Sequence, residues 1–225
     1  MEKLRASIIC SLAFLAAIPS WADSLSCSNS VVTTSVQQAE HGELVCSAVE
    51  QAAVLFDQCN VPALSSPVHI SVVDQLKPGC VALYHCGEGR IEVLSPPNMQ
   101  ELRDPDGAFI HLGIDEYFQS VVIHELSHAA TYGIPCPFEE CVTAHEYIAY
   151  AMQVMSLSSE AQSIFEDRSG LDRSISSDEL SAIILFMAPH LFSQKVWGHL
   201  SQRKDPCGYI GQIVDGSVLL DRERF

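Results

Sequence analysis

The sequence predicts an α+β fold in which a small mixed sheet with helices comes first and a mainly helical part follows. Short runs rich in β-branched residues occur before position 95, whereas apolar residues at helical spacing dominate the second half. Eight cysteines beyond residue 22 indicate that disulfides hold this fold together. The 225 residues allow an export signal, residues 1–22, and one domain, residues 23–225. This domain divides after position 135 into the two parts just described.

The chain begins with the features of an export signal. A positive start at Lys3 and Arg5 precedes an apolar run, residues 6–18, and a small-x-small cleavage site at residues 20–22. No later apolar run reaches the roughly 18 residues that a membrane span needs. We therefore expect a secreted or periplasmic protein whose mature chain begins near Asp23.

The cysteines agree with export. An even number in an oxidising compartment predicts up to four disulfides, with 105 possible pairings that the sequence does not separate. A bridge between Cys136 and Cys141 is one candidate, because it would fix the connection between two predicted helices. No CxxC pair is present, which disfavours a zinc–thiolate site. The eight are Cys27, Cys46, Cys59, Cys80, Cys86, Cys136, Cys141 and Cys207.

The chain is strongly acidic. Its formal net charge is −16, and removal of Glu2, Lys3 and Arg5 with the signal leaves 27 acidic and 10 basic residues, a net charge of −17. Such a chain repels nucleic acids and anionic lipid surfaces, so neither is an expected partner. A solvated acidic surface explains the charge more simply than a cleft that selects basic substrates.

The first elements are predicted in the order strand, helix, strand. A strand is expected near residues 31–34, within a lead-in rich in Ser and Thr. Apolar residues at helical spacing predict a helix over residues 43–58 that ends before Asn60. Residues 69–73 then form a second strand. His69 in this strand is expected to be a hydrogen-bonded or solvent-facing residue and not a metal ligand.

A hairpin follows, with strands at residues 81–85 and 91–94 that turn at Gly87-Glu88-Gly89. His85 has no partner at ligand spacing, so it too is expected to be a strand histidine. Residues 95–113 contain three prolines and are expected to form a loop.

The central motif is HExxH at residues 124–128, in a helix expected to open at Asp115. His124 and His128 lie one helical turn apart, so that both imidazoles can bind one metal ion. Glu125 is placed to act on a metal-bound water. Apolar residues surround these three side chains, as in a buried helix, where polar groups are costly unless a divalent metal satisfies them.

A third ligand is expected because catalytic zinc sites commonly have three protein ligands and one open position. A helix predicted over residues 142–155 offers Glu146, which follows His128 after seventeen residues. His145 is a rival, but it lies about 100° away round the helix, so only one of the two can face the metal. Glu139 and Glu140 are expected to be loop carboxylates.

HExxH followed by a helical glutamate resembles the gluzincin metallopeptidases. Residues 146–149, Glu-Tyr-Ile-Ala, stand where the aminopeptidase branch and small bacterial relatives often have Glu-Gly-(Phe/Leu)-Ala, and the resemblance covers roughly residues 40–155. It implies a compact zincin-like fold and a Zn²⁺ ion held by His124, His128 and Glu146. It further implies that Glu125 is the general base of peptide-bond hydrolysis. For such a peptidase, we expect an edge strand of the hairpin to bind an extended substrate by strand addition.

The chain also departs from that family. Thermolysin-like members have an Asp that supports a zinc-binding histidine where this chain has Tyr150. His145 replaces a common Asn, and no Gly-Ala-Met-Glu-Asn segment precedes the motif, so aminopeptidase specificity is not implied. Two alternatives to a peptidase stay open: an inactive zincin-like metal-binding or interaction module of the cell envelope, and a disulfide-stapled structural or binding protein.

The last third is expected to supply packing helices at residues 159–167, from Ser176 onward and at residues 190–202. Ser176 and Glu179 form a capping box. The buried face of the second of these helices is expected to comprise Leu180, Ile183, Ile184 and Met187.

A turn at residues 205–208 is expected to lead to a short strand or hairpin within residues 209–220. Zinc peptidases commonly stabilise the oxyanion with a Tyr or His. The candidates are Tyr150, His190, His199 and Tyr209, and the sequence favours none of them.

Overall fold

The computed structural model describes residues 23–28, 31–170 and 172–221, and the expected export signal lies outside the described residues. Five strands form one sheet in the order β1-β2-β3-β5-β4. β2, β3 and β5 are parallel, whereas β1 and β4 run antiparallel at the two edges. The predicted α+β class with a small mixed sheet is confirmed. The strands are β1 (Asp23–Ser26), β2 (Val32–Val36), β3 (Val68–Val73), β4 (Ala82–His85) and β5 (Arg90–Leu94).

Helix α1 (Ala39–Gln58) connects β2 to β3, because parallel neighbours need a crossover connection. It starts four residues before the predicted helix and buries the predicted apolar face, for example Val45 and Ala52. The same core receives the alternating buried residues of β3.

Two predictions for the first half are wrong. The lead-in contains β1, which pairs with β2, whereas we expected one strand only. The expected loop contains a short helix, α2 (Pro96–Glu101), which follows Ser95 and has proline in its first turn. Proline fits that position, since the first helical turn has no internal partner for its N–H. Met99 of α2 is fully buried, which anchors this helix in the core.

The second half is helical, as predicted. α3 contains the HExxH residues and packs against α1, α2, α4 and β4. The helices are α3 (Ile114–Thr131), α4 (Val142–Met155), α5 (Ser159–Ser169), α6 (Ala182–Met187), α7 (Pro189–Ser201) and α8 (Pro206–Val214).

The segment before α7 differs from the prediction. The capping box of Ser176 and Glu179 is present, but it opens a single 3-10 turn and not a long helix. α6 starts separately after Ser181, whose hydroxyl caps it. Consequently Ile183 and Met187, which we expected to be buried, are 70% and 82% exposed.

The expected strand or hairpin within residues 209–220 is also wrong. Residues 206–214 form α8. Asp205 accepts a hydrogen bond from the Gly208 N–H, and Pro206 occupies the first turn. An Asp cap followed by Pro is a helix start signal that outweighed the turn signal of the same residues.

Three disulfides join Cys27 to Cys46, Cys59 to Cys207 and Cys136 to Cys141. The Cys136–Cys141 candidate is therefore confirmed, and the upper limit of four bridges is not reached. Cys80 and Cys86 are free thiols on either side of β4. Disulfides fit an oxidising location such as the cell exterior. Within the residues that the structure describes, no helix has the length and apolar character of a membrane span.

Candidate metal centre

The three predicted ligands meet where α3 packs against α4. The Nε2 atoms of His124 and His128 are 3.2 Å apart. Glu146 places Oε2 3.6 Å from His124 Nε2 and Oε1 3.5 Å from His128 Nε2. Among the described residues, this is the one group of three His, Cys, Asp or Glu side chains whose ligand atoms lie within 4.8 Å of one another.

These spacings fit a tetrahedral zinc ion. Zinc bonds of about 2.0–2.1 Å to nitrogen and oxygen place neighbouring ligand atoms about 3.3–3.4 Å apart. The distances of 3.2, 3.5 and 3.6 Å are close to this spacing, with the two longer ones ending on different oxygens of Glu146. These two distances to Glu146 are longer than ordinary hydrogen bonds, so direct pairing explains them less well than a shared ion.

The protonation states of the cluster also suit a cation. Burial lowers the pKa of His124 to about 4, and burial together with His124 and His145 lowers the pKa of His128 well below its usual value. Both imidazoles are thus neutral near pH 7, which is the form that binds metal. Burial raises the pKa of Glu146 to about 7, a cost that a bound divalent cation would offset.

Gln153 orients the first histidine, and the sequence reasoning missed it. Its Oε1 lies 3.1 Å from His124 Nδ1 and can accept that N–H, which leaves the Nε2 lone pair for a metal. The Gln153 side-chain N–H donates to Ser120 Oγ at 3.3 Å, and Ser120 donates to the Tyr117 carbonyl. A signal existed: Gln153 lies seven residues after Glu146, on the same helix face, in an otherwise apolar segment.

Tyr150 occupies the position of the missing Asp and packs against the ligands. Its ring stands edge-on to the His124 ring with centroids 4.6 Å apart. Burial raises the pKa of its hydroxyl, so the phenol stays protonated and can donate a hydrogen bond. Two residues therefore hold the His124 ring in place: Tyr150 packs against it and Gln153 binds its Nδ1.

Glu125 lies beside the cluster and is 8% exposed. Burial, followed by repulsion from Glu146, raises the pKa of its carboxyl to about 8, and a hydrogen bond from the Tyr84 backbone N–H opposes the shift. This carboxyl is therefore a group that can exchange a proton near neutral pH. Glu125, both histidines and Glu146 line one cleft of about 1000 Å³.

Strand β4 forms one wall of the cleft and is an edge of the sheet. The Leu94 N–H donates to the Val81 carbonyl at 2.9 Å, so positions 81, 83 and 85 share hydrogen bonds with β5. Ala82 and Tyr84 consequently direct their backbone groups away from β5, and the Tyr84 N–H reaches Glu125.

The other candidates separate into two groups. His145 lines the cleft, but its Nδ1 lies 3.3 Å from Thr131 Oγ1 and it is not part of the ligand cluster. Glu139 and Glu140 are exposed at the rim. Of the four oxyanion candidates, Tyr150 and His190 line the cleft.

His199 and Tyr209 lie elsewhere, in contact with Tyr147. The strand histidines are hydrogen-bonded, as predicted: His69 contacts Ser35 Oγ at 2.8 Å and His85 contacts Glu92 Oε2 at 2.6 Å.

A family model described as a family of unknown function, DUF6639, matches residues 32–223. This range contains the ligand cluster and the cleft. It also contains every disulfide cysteine except Cys27. No curated protein and no solved structure matches the chain.

Proposed function

We propose that this chain, a member of the DUF6639 family, is a secreted zinc-dependent peptidase of zincin-like fold. The observation that carries the proposal is the approach of His124 Nε2, His128 Nε2 and the two Glu146 carboxylate oxygens, at distances of 3.2–3.6 Å, beside the buried Glu125. Two imidazoles and one carboxylate suit zinc, and a site with three protein ligands leaves a position for water or substrate.

Three features of the fold support a zincin-like reading. The sheet precedes the HExxH helix, its edge strand β4 runs antiparallel to β5, and the next helix provides the glutamate ligand. Residues of β4 and the side chains of the cluster line the same cleft. This arrangement resembles the gluzincin order that the motif suggested.

Zinc, when bound to His124, His128 and Glu146, would act as a Lewis acid and make water a nucleophile near neutral pH. Glu125 would accept the proton of the attacking water and deliver it to the leaving amine. A carboxyl with a pKa near 8 before metal binding would titrate lower beside a dication, so that it could act as a base at neutral pH. Tyr150, a protonated phenol next to His124, is the best-placed donor to the developing oxyanion.

The substrate would be an extended peptide added to the edge of β4. The outward N–H and carbonyl of Ala82 and the outward carbonyl of Tyr84 would bind the peptide backbone, whereas the Tyr84 N–H is already bound to Glu125. Because β4 and the HExxH residues line the same cleft, such binding would place a peptide bond near the cluster.

The test compares the oxidised mature protein with Glu125→Gln. Activity against a fluorogenic peptide library should fall by about 10²–10⁴-fold, because a general base is lost, while zinc content stays the same. Glu160→Gln, the same change at an exposed residue of α5, is the matched control and should keep full activity.

Equal activity of wild-type protein and Glu125→Gln would contradict the mechanism. Wild-type protein that binds zinc but cleaves no peptide of the library would favour the inactive metal-binding module instead. Wild-type protein that binds no zinc would favour a structural protein.

A further inference from the structure

The first turn of α4, which leads to Glu146, is capped from a distant part of the chain. Asp221 accepts hydrogen bonds from the Thr143 N–H to Oδ1 and from the Ala144 N–H to Oδ2, both at 2.9 Å. The helix's own N-cap residue, Cys141, makes no side-chain capping bond. A residue 77 positions beyond Ala144 therefore provides the cap that the local sequence lacks.

The segment that brings this carboxylate to α4 is anchored. Leu220 is 7% exposed and belongs to the main core. The Val218 N–H donates to the Gln212 carbonyl of α8 at 2.9 Å. Gly216 adopts a φ of +79°, which favours glycine, and packs close to Pro135 in the connection between α3 and α4. The cap is thus part of a packed unit.

Two physical effects make this contact strong for its size. Charged acceptors form hydrogen bonds roughly twice as strong as neutral ones, and here one carboxylate binds two backbone N–H groups. A negative charge at a helix N-terminus also interacts favourably with the helix dipole. Because Glu146 lies two residues after Ala144, in the same rigid helix, a shift of the first turn moves its carboxylate relative to both imidazoles.

We propose that Asp221 is a positioning residue for the third metal ligand, so that the segment after α8 sets the metal affinity of the cluster. This inference rests on the proposed metal centre. The Cys136–Cys141 bridge holds the start of α4, and Asp221 binds the backbone N–H groups of its first turn. Neither contact touches the metal position, so Asp221 positions Glu146 through α4, and its charge also acts on His145 of the same helix.

The experiment measures Co²⁺ and Zn²⁺ binding by the full mature chain and two variants, Asp221→Ala and Asp221→Asn. Asp221→Ala should weaken binding by about 10-fold, as for other residues that orient a ligand. It should also change the visible absorption spectrum of bound Co²⁺, since a displaced carboxylate alters the ligand geometry. Asp221→Asn keeps one acceptor oxygen and loses the charge, so its metal affinity should lie between those of wild-type protein and Asp221→Ala.

Asp215→Ala is the matched control. Asp215 lies in the same segment and its Oδ1 accepts a hydrogen bond from the Ser217 N–H at 2.8 Å, without contacting α4. Metal affinity and the Co²⁺ spectrum should be unchanged in this variant. Amide hydrogen exchange should become faster at Thr143 and Ala144 in Asp221→Ala but not in Asp215→Ala, which reports on the cap in the absence of metal.

Unchanged affinity and spectrum in both Asp221 variants, with wild-type protein binding metal, would overturn this inference alone. Equal losses in Asp221→Ala and Asp215→Ala would also overturn it, since they would show a general loosening of the segment. Wild-type protein that binds neither metal would overturn the proposed function together with this inference. Should Asp221→Ala fail to fold, Asp221→Asn decides the result.

Discussion

Two histidine clusters lie on different sides of α4, and only one of them has the geometry of a metal site. The ligand cluster consists of His124, His128 and Glu146. The His199 cluster consists of His199, Tyr147, Ser177 and Arg203. Because Glu146 and Tyr147 are consecutive, their side chains leave α4 about 100° apart and enter different clusters.

The two clusters differ in how their histidine nitrogens are satisfied. In the His199 cluster, Nδ1 lies 2.8 Å from the Tyr147 hydroxyl, and Nε2 contacts both Ser177 Oγ, at 3.3 Å, and the Arg203 guanidinium. Both ring nitrogens therefore have protein partners. In the ligand cluster, the Nε2 atoms face each other and a carboxylate across 3.2–3.6 Å.

Burial and protonation do not separate the two clusters. Burial lowers the pKa of His124 and of His199 to about 4 alike, and Arg203 adds to the effect at His199. What differs is the use of the unprotonated nitrogen: in the ligand cluster the Nε2 atoms and the Glu146 oxygens approach one another within 3.2–3.6 Å, whereas His199 Nε2 accepts a hydrogen bond from Arg203 and its Nδ1–H faces the Tyr147 hydroxyl. The close approach of these ligand atoms, not burial of a histidine, thus identifies the candidate metal site.

The largest expected effect is the stabilisation of the folded chain by bound metal. Free zinc at about 1000 times its dissociation constant should raise the free energy of unfolding by about 4 kcal/mol, because it binds only the folded chain. His128→Ala should abolish this increment, since two ligands remain. His199→Ala should lower the stability itself by about 2–4 kcal/mol, through a cavity and an unpaired Tyr147 hydroxyl, and retain the increment.

Urea unfolding with excess zinc and with chelator measures both quantities for the three proteins. A zinc increment that survives His128→Ala, or one that disappears in His199→Ala, would remove the distinction between the clusters.

A smaller effect should follow from the residues that hydrogen-bond each histidine. Gln153→Ala should reduce zinc affinity by about 10-fold, because His124 loses the acceptor that fixes its Nδ1 proton. Ser177→Ala removes the corresponding contact of His199 and should leave zinc affinity unchanged. Competition with a chromophoric chelator measures both affinities. Equal zinc affinities in the two variants would mean that Gln153 does not orient a ligand.

The sequence revealed the parts of the site that depend on spacing within one helix. His124, Glu125 and His128 stand at fixed intervals, and Glu146 follows in the next helix, so their approach could be predicted from helix geometry and a short connection. Spacing also made β2 and β3 predictable, since they alternate regularly between buried and partly exposed residues, whereas β1 was missed.

The parts that were missed depend on contacts between distant residues. Asp221 caps α4 across 77 positions, and no local pattern reports such a partner. Gln153 could have been found from its i+7 relation to Glu146, but a lone Gln is a weak signal. We expected Ile183 to be buried because we placed the helix start at Ser176. Ser176 and Ser181 both have capping signals, and only Ser181 begins an α-helix.

The last expected effect is a pH dependence of the free energy of unfolding that His199→Ala removes. An unfolded His titrates near pH 6.5, whereas folded His199 titrates near 4, so only the unfolded chain gains the proton between these values. Its contribution to stability is therefore present above pH 6.5 and is lost as the pH falls towards 4, by about 2 kcal/mol after allowance for solvent screening. Urea unfolding of wild-type protein and His199→Ala from pH 7 to pH 4.5 should show the two stability curves converging as the pH falls.

This convergence should be the same with zinc and with chelator, because the His199 cluster holds no metal. The protons that His124 and His128 take up, in contrast, compete with zinc, so the zinc increment should shrink over the same range in both proteins. A convergence that depends on zinc would show that the two clusters are coupled through α4 and that their separation is incomplete.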